Sequence, residues 1–165
     1  SFYWFFKDRE ELLAALLSRW REKNTGSILR QSEAYAETLA EAMLNVFDCW
    51  LDSSLFDSKF EFAVRSWALQ SADILAEVRK ADQMRMEALS RMFMRFGHPE
   101  NMADVRARTT YLVQIGYISM QAEEDVAVRM KRIADYIAIY TGEVPQQREL
   151  DRFYARHGYR PGPGA

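Results

Sequence analysis

The sequence predicts an all-helical protein, and three observations support that prediction. The 165 residues are 48% hydrophobic with only 7 Gly and 4 Pro, so residues that interrupt helices are scarce. Apolar residues recur at intervals of three and four, which is the period of a helix with one buried face. Capping patterns and Gly-Pro stops divide the chain into segments of helical length. The length suits one domain with a sizeable core.

The first predicted helix begins after Asp8, which is a favourable N-cap residue. Glu11 lies three positions later, where a capping box requires an acidic side chain. Leucines and Trp20 follow at helical spacing, so a helix begins here. The pattern weakens at residues 24–26, where the helix either ends or continues irregularly to about Arg30.

The second predicted helix covers about residues 32–50. Its buried side carries the apolar side chains that recur at helical intervals, namely Tyr35, Leu39, Met43, Val46, Phe47 and Trp50. A second face would carry Glu33, Glu37 and Glu41. Such a row of glutamates is expected to be solvated. The segment LDSSLFDS after the helix predicts a turn-rich connection.

Two further helices are predicted after this connection. Ser58 and Glu61 form another capping-box pattern, so a short helix is expected over about residues 59–70. A long helix is expected over about residues 72–96. It ends at Gly97, because a Gly after the last apolar residue, with Pro soon afterwards, stops a helix.

The helix predicted over about residues 99–120 changes character along its length. From residue 111 to residue 120 it is apolar nearly all round, and a helix without a wet face needs cover on both sides. The last major helix, about residues 123–140, carries a broad apolar stripe and ends before Gly142. Two consecutive helices of this kind predict a pair that docks onto its own copy in a two-fold homodimer.

The expected dimer interface includes Gly116, because a glycine allows two helix backbones to approach closely. The other expected interface residues are Val113, Tyr117, Met120, Val126, Met130, Ile133 and Ile137. Beyond the helix pair, residues 143–165 predict one short helix followed by a frayed tail.

Composition and charge argue against several classes of protein. The formal net charge is −2, so the chain as a whole lacks the basic surface of a nucleic-acid-binding domain. A single cysteine, Cys49, rules out a disulfide framework and fits a reducing compartment. No apolar run approaches the roughly 20 residues of a membrane span, and the N-terminus lacks the basic start of a signal peptide. We therefore expect a soluble, cytoplasmic protein with no membrane partner.

The sequence offers little material for catalysis or metal binding. The two histidines, His98 and His157, lack a glutamate three residues before them, so the Glu-x-x-His pair of di-iron bundles is absent. Cys49 has no neighbouring His or Cys and is expected to be a small buried hydrophobe. Gly-rich phosphate loops, nucleophile elbows and Cys-x-x-Cys pairs are also missing. We predict no catalytic residue, no metal and no cofactor.

Two stretches resemble members of the TetR family of transcriptional regulators. The segment FYWFFKDREELLAALL is similar to the junction between the recognition helix and the fourth helix of that family. The matching residues are Tyr3, Phe6, Lys7, Asp8 and Leu12, whereas Phe5 stands where His or Tyr is more usual. The segment FEFAVRSWALQSADILAEVRKADQMRMEALSRMFMRFG resembles a subgroup of the family through Ala63, Arg65, Trp67, Ala68, Asp82, Arg85 and Gly97. With the helix order, the resemblance covers about residues 1–141.

The resemblance implies a domain organisation and a function. Residues 1–7 would be the end of the recognition helix of a helix-turn-helix domain whose remainder is missing, and Tyr3 and Lys7 would contact DNA phosphates. Residues 8–142 would form a TetR-like ligand-binding and dimerisation domain. A repressor of this kind binds operator DNA as a dimer through its N-terminal domain and releases it when a small-molecule effector enters a central cavity.

The expected effector site lies among large side chains on the core faces of the central helices, and these suit a small apolar or aromatic ligand. The expected residues are Phe47, Trp50, Trp67, Met84, Met92, Tyr111 and Gln114. Gln114 is the most informative, because a lone amide in an apolar helix needs a hydrogen-bond partner in a ligand or across a dimer. The alternatives are a helical partner-binding or adaptor protein without DNA-binding function, and a helical-bundle enzyme.

Overall fold

The computed structural model describes residues 8–163, and within that range the chain forms only helices and their connections. The helices are α1 (Arg9–Trp20), a π-helical turn (Arg21–Thr25), α2 (Gly26–Glu33), α3 (Leu39–Leu51), α4 (Ser58–Ala68), α5 (Ala72–Arg95), α6 (Glu100–Ser119), α7 (Val126–Thr141) and α8 (Gln147–Arg156). The all-helical prediction is confirmed. None of the described helices is long and apolar enough to cross a membrane.

The first helix begins as predicted and continues past the expected weak point. The Asp8 carboxylate accepts a hydrogen bond from the Glu11 backbone N–H at 2.8 Å, which confirms the N-cap. Gly26 keeps right-handed helical dihedrals, so the chain runs through the π-helical turn into α2 without a break. The π-helical turn buries Asn24 and Thr25, which face other helices.

The start of the second predicted helix is wrong, because α3 begins at Leu39 rather than at residue 32. Residues 34–38 are an irregular connection, and Thr38 caps α3 by accepting a hydrogen bond from the Glu41 N–H at 3.1 Å. Tyr35, which was expected on the buried side, is 84% exposed. Because Glu33 ends α2 and Glu37 precedes the cap, the three glutamates do not share one helix face.

The remaining boundaries lie within a few residues of those predicted. Asp57, one residue before the predicted cap, caps α4 by accepting from the Phe60 N–H at 2.9 Å. The stops at Gly97 and Gly142 are confirmed, since both have positive φ angles of +94° and +75° that side chains disfavour. The start of α7 lies at Val126, three residues later than expected.

The core has two parts that share α5. The main cluster joins α3 to the inner faces of α5, α6 and α7, and it includes Leu150 and Phe153 of α8. A smaller cluster joins α1, α4 and the first half of α5 around Trp20 and Val64. The predicted C-terminal helix therefore exists, and it packs into the main core.

Candidate functional site

A cavity of about 330 Å³ lies where the end of α3, the first half of α4, the end of α6 and the start of α7 meet. Its apolar walls are Trp50, Phe62, Tyr117 and Ile118. Its polar lining includes Lys59, Gln114, Gln121, Glu123, Glu124 and Arg129. This volume lies at the lower end of the range of small-molecule sites in proteins, and the mixture of broad apolar walls with a few polar groups is typical of them.

Aromatic contacts hold the cavity walls in place. Trp50 packs edge-on against Phe47, with ring centroids 5.2 Å apart. The hydroxyl groups of Tyr117 and Tyr136 are hydrogen-bonded at 2.5 Å, which ties α6 to α7 beside the cavity. Aromatic pairs of this geometry favour defined ring positions. These contacts position Trp50 and Tyr117 in the cavity wall.

Gln114 lies between the cavity and a small adjoining void on the inner side of α6. Its side chain is only 3% exposed. Near it, burial raises the pKa of the Tyr140 hydroxyl, while the Gln114 amide acts in the opposite direction. That hydroxyl has no hydrogen bond of acceptable geometry to another described residue. The Gln114 amide is thus a buried polar group surrounded mainly by aromatic side chains.

Arg129 brings a half-buried cation to the cavity wall. Its Nη1 donates to the Trp50 carbonyl at 3.0 Å. No carboxylate of residues 8–163 lies within ion-pair distance of it, and burial lowers its pKa. The nearby Glu124 instead pairs with Arg132 at 2.7 Å. The charge of Glu124 opposes the lowering of the Arg129 pKa without a direct ion pair. Arg129 is thus a half-buried guanidinium that donates to a neutral carbonyl and is not paired with a carboxylate of the described residues.

The structure brings together three of the seven expected ligand residues. Trp50 and Gln114 line the cavity, and Phe47 lines the adjoining void and supports Trp50. The other four lie elsewhere. Met92 is fully buried in the main core, and Met84 lies on a separate groove between the π-helical turn and α5.

The remaining two expected ligand residues, Trp67 and Tyr111, also lie outside the cavity lining. Trp67 packs half-buried against the smaller core cluster. Tyr111 is buried in a network of charged side chains. The lining residues that the sequence did not suggest, above all Phe62, Tyr117 and Arg129, belong to three different helices. Only their tertiary arrangement brings them to one site.

The centre of the charged network is a buried ion pair that joins α4 to α5. Glu61 and Arg85 are both fully buried, with a nitrogen–oxygen distance of 3.0 Å. Burial alone would raise the pKa of Glu61, but the charge and hydrogen bonds of Arg85 lower it overall. The Trp20 indole N–H donates to the same carboxylate at 2.9 Å, and Arg85 donates to the Tyr111 hydroxyl at 3.0 Å. The network therefore connects α1, α4, α5 and α6.

The half-buried Arg65 and Asp82 complete this network. Arg65 donates to the Glu61 carboxylate at 2.9 Å and also pairs with Asp82. The Tyr111 hydroxyl donates to Asp82. Arg65 of α4 and Asp82 and Arg85 of α5 thus form one ionic cluster with Glu61.

The outer sides of α6 and α7 expose several large apolar side chains, and we call the surface that carries them the α6–α7 outer face. Its exposed members are Met102, Val105 and Leu112 of α6, Met120 directly after α6, and Val128 and Ile139 of α7. Leu112 is 59% exposed and Ile139 is 66% exposed. Gly116 lies among them, and a Cβ placed there would have no other atom within 4 Å. An apolar surface of this kind marks an interaction site more often than a surface left to water.

The expected dimer residues divide between this face and the core. Met120 and Val126 are exposed, and Gly116 is partly exposed. Tyr117 instead lines the cavity, and Val113 packs partly buried against the main core. The rest of the expected set requires correction, because Met130, Ile133 and Ile137 are buried inside the protomer. They point toward α3 and the main core, so the outer surface of α7 is formed instead by Val128 and Ile139.

The expected DNA-contacting residues Tyr3 and Lys7 lie outside the described residues. Within residues 8–163, no group of three or more His, Cys, Asp or Glu side chains is arranged to hold a metal ion.

Comparison with known proteins identifies no relative. No protein-family description matches the chain, and no curated protein or solved structure is significantly similar to it. What the fold and site define is an all-helical protein with a small-molecule-sized cavity and an apolar two-helix face.

Proposed function

We propose that this chain is the effector-binding and dimerising part of a TetR-like DNA-binding transcriptional repressor. One observation carries the proposal: α6 and α7 line the cavity with their inner sides and form the apolar outer face with their outer sides. A molecule in the cavity therefore contacts the same two helices that a second copy would contact. Such an arrangement suits a dimer whose geometry responds to a ligand.

A second copy of the chain is the proposed occupant of the α6–α7 outer face. The exposed apolar residues lie on one side of both helices, which is the self-complementary pattern of a two-fold interface. The charges beside them are of both signs, with Arg132 and Asp135 exposed on α7. Two copies related by a two-fold axis can place these opposite charges together. A stable homodimer buries roughly 1,600 Å² or more in total, and two adjacent helices supply a surface of that order.

The buried ionic network supplies a contact path from the cavity to α1. Tyr111 precedes the cavity residue Gln114 by one turn of α6. Its hydroxyl contacts Arg85, which also donates to Thr25 in the π-helical turn at 2.9 Å. A shift of α6 on ligand binding therefore acts on the helix that begins at Asp8. In this proposal α1 joins the helix-turn-helix unit that binds operator DNA, and the ligand changes the spacing of two such units.

The proposal is tested by association and ligand binding together. Size-exclusion chromatography with light scattering should give a dimer for the chain at micromolar concentration. Leu112→Asp on the outer face should give a monomer that keeps its helicity. The matched control is Leu69→Asp. Leu69 is also an exposed leucine, but it is the residue that ends α4 and is not part of α6 or α7. A monomeric parent chain would overturn the proposed dimer.

The competing candidate is a helical adaptor that uses the same apolar face to bind a different protein. The same face supports it, because exposed apolar area does not by itself specify the partner. The adaptor predicts a monomer whose cavity is incidental. It gains support if the chain is monomeric and if no small apolar or aromatic compound raises its melting temperature in a thermal-shift screen.

A further inference from the structure

We propose that the cavity selects an aromatic or aliphatic carboxylate, whose apolar part lies between Trp50, Phe62 and Ile118 and whose anionic group binds Arg129. The inference rests on the proposed function, because it names the chemical class of the effector. Its physical basis is a half-buried guanidinium, that of Arg129, which lines the cavity and has no carboxylate within ion-pair distance among residues 8–163.

Of the arginines that are partly or fully buried within residues 8–163, Arg129 and Arg106 donate to backbone carbonyls and have no carboxylate at ion-pair distance, and of these two only Arg129 lines the cavity. Arg85 and Arg65 are each compensated by carboxylates at hydrogen-bond distance. Arg129 is half-buried, yet its Nη1 donates to the neutral carbonyl of Trp50. A guanidinium has five N–H donors in a planar fork, and a carboxylate is the group that accepts two of them together. The unused donors of Arg129 therefore favour a carboxylate that arrives with the ligand.

The acidic residues of the lining do not supply that partner. Glu124 is held by Arg132, with two of its contacts at 2.7 and 3.0 Å. Glu123 is exposed at the rim. Lys59 adds a second positive charge from the first turn of α4, where the helix end itself favours an anion. The charge of the Asp57 cap opposes this effect, so Arg129 remains the main anion-binding group.

The rest of the lining sets the shape of the ligand. Trp50, Phe62 and Ile118 come from α3, α4 and α6 and enclose the space from different sides. Gln114 is buried and adds a directional donor and acceptor at the inner end. The walls thus favour a compact apolar body with one polar end.

Isothermal titration calorimetry with matched probes tests the inference. The probes are naphthoate, indole carboxylate and decanoate, each paired with its neutral primary amide, at neutral pH and physiological salt. At least one carboxylate should bind about tenfold or more tightly than its amide, which is the effect of one charge-assisted bidentate contact. Arg129→Gln should remove that preference and leave the affinity of the amide nearly unchanged.

The matched control is Lys131→Gln, which removes the same charge from an exposed position of the same helix. It should keep the preference for the carboxylate. Arg129→Lys should keep a reduced preference, because it retains the charge and loses the planar fork. If Arg129→Gln loses helicity, the test becomes the carboxylate preference of Arg129→Lys compared with that of the parent chain. A reduced preference supports the inference, and an unchanged preference contradicts it.

The outcomes separate this inference from the proposed function. If amides bind as tightly as carboxylates to the parent chain, the inference is overturned while the cavity still stands as a ligand site. If neither member of any pair binds, the inference and the effector-binding function both fail. If the preference persists in Arg129→Gln, the anion is bound elsewhere and the assignment to Arg129 is wrong.

Discussion

Replacing Gly116 separates the stability of one protomer from the association of two. Gly116 lies inside α6 with helical backbone geometry, and a Cβ added there meets no other atom within 4 Å. In the protomer alone, Gly116→Ala therefore causes no clash. It removes the entropic cost of a glycine in a helix interior, which is about 1 kcal/mol relative to alanine. For a chain of this size the melting temperature should rise by roughly 2–4 °C.

In the dimer the same substitution should act in the opposite direction. If α6 crosses its symmetry mate at Gly116, each copy adds a methyl group to a close contact between two backbones. Overpacking of this kind costs about 1–3 kcal/mol at one site. The dissociation constant of the dimer should then rise at least about tenfold for Gly116→Ala, and further for Gly116→Leu.

Two measurements resolve the opposing effects. Urea unfolding at a concentration well below the dissociation constant reports the protomer, and analytical ultracentrifugation over a dilution series reports association. Ala76→Gly is the matched control, because Ala76 is an exposed position of α5 far from α6 and α7 along the chain. It should lower protomer stability by about 1 kcal/mol and leave the dissociation constant unchanged.

The reasoning is refuted if Gly116→Leu dimerises as tightly as the parent chain. In that case the outer face still associates, but the two helices do not cross at Gly116. A fall in protomer stability for Gly116→Ala at high dilution would refute the predicted gain in protomer stability. It would mean that the space beside Gly116 is already filled within one protomer.

Three further predictions follow from the buried groups. Glu61 has a lowered pKa, so its ionised form stabilises the fold above the unfolded-state pKa, and that contribution is lost as pH falls through the lower folded-state value. Glu61→Gln should therefore lower the free energy of unfolding in urea by about 3–5 kcal/mol at neutral pH. Its free energy of unfolding should approach that of the parent chain as the pH falls below about 4, and Glu87→Gln, at an exposed position, should change it little. An equal loss at neutral and at acidic pH would contradict the ion-pair argument. Burial raises the pKa of Cys49 to about 12. The native protein should therefore resist a thiol-reactive disulfide reagent at mildly alkaline pH, and the protein in denaturant should react fully. Rapid stoichiometric labelling of the native form would contradict the burial of Cys49. Phe153→Ala should cost about 3–5 kcal/mol in urea unfolding, because Phe153 is fully buried in the main core, and a loss below about 1 kcal/mol would show that α8 is only loosely docked.

The sequence predicted helix existence and most helix ends because those signals are local. The Asp8 cap, the Gly97 stop and the Gly142 stop depend on residues a few positions apart, and all three were correct. The error at α3 had a local cause as well. Thr38 and Glu41 form a capping pattern that lies inside an apparently continuous helical period, and the cap decided where the helix began.

The site was less predictable because its chemistry depends on which helices meet. Tyr111 and Gln114 are one helical turn apart in an apolar stretch, and the sequence treats them alike as pocket candidates. In the structure Tyr111 belongs to the ionic network, because its hydroxyl contacts Arg85. Gln114 instead lines the cavity together with Trp50. Arg129 has the sequence appearance of an ordinary surface arginine. Its burial becomes visible only when the end of α3 packs against the start of α7.

The apolar character of α6 is explained when its two sides are considered separately. The inner side buries Tyr111, Gln114 and Ile118, and this alone would satisfy a helix at the edge of a monomeric bundle. The outer side nevertheless exposes Leu112 and, at 80% exposure, Met120, where charged residues would cost nothing in folding. Several exposed apolar groups on one side of a helix favour an interaction surface there. In the proposed dimer a second copy of the chain covers that surface, two cavities would lie beside one interface, and a ligand bound in either protomer would act on the contact between both.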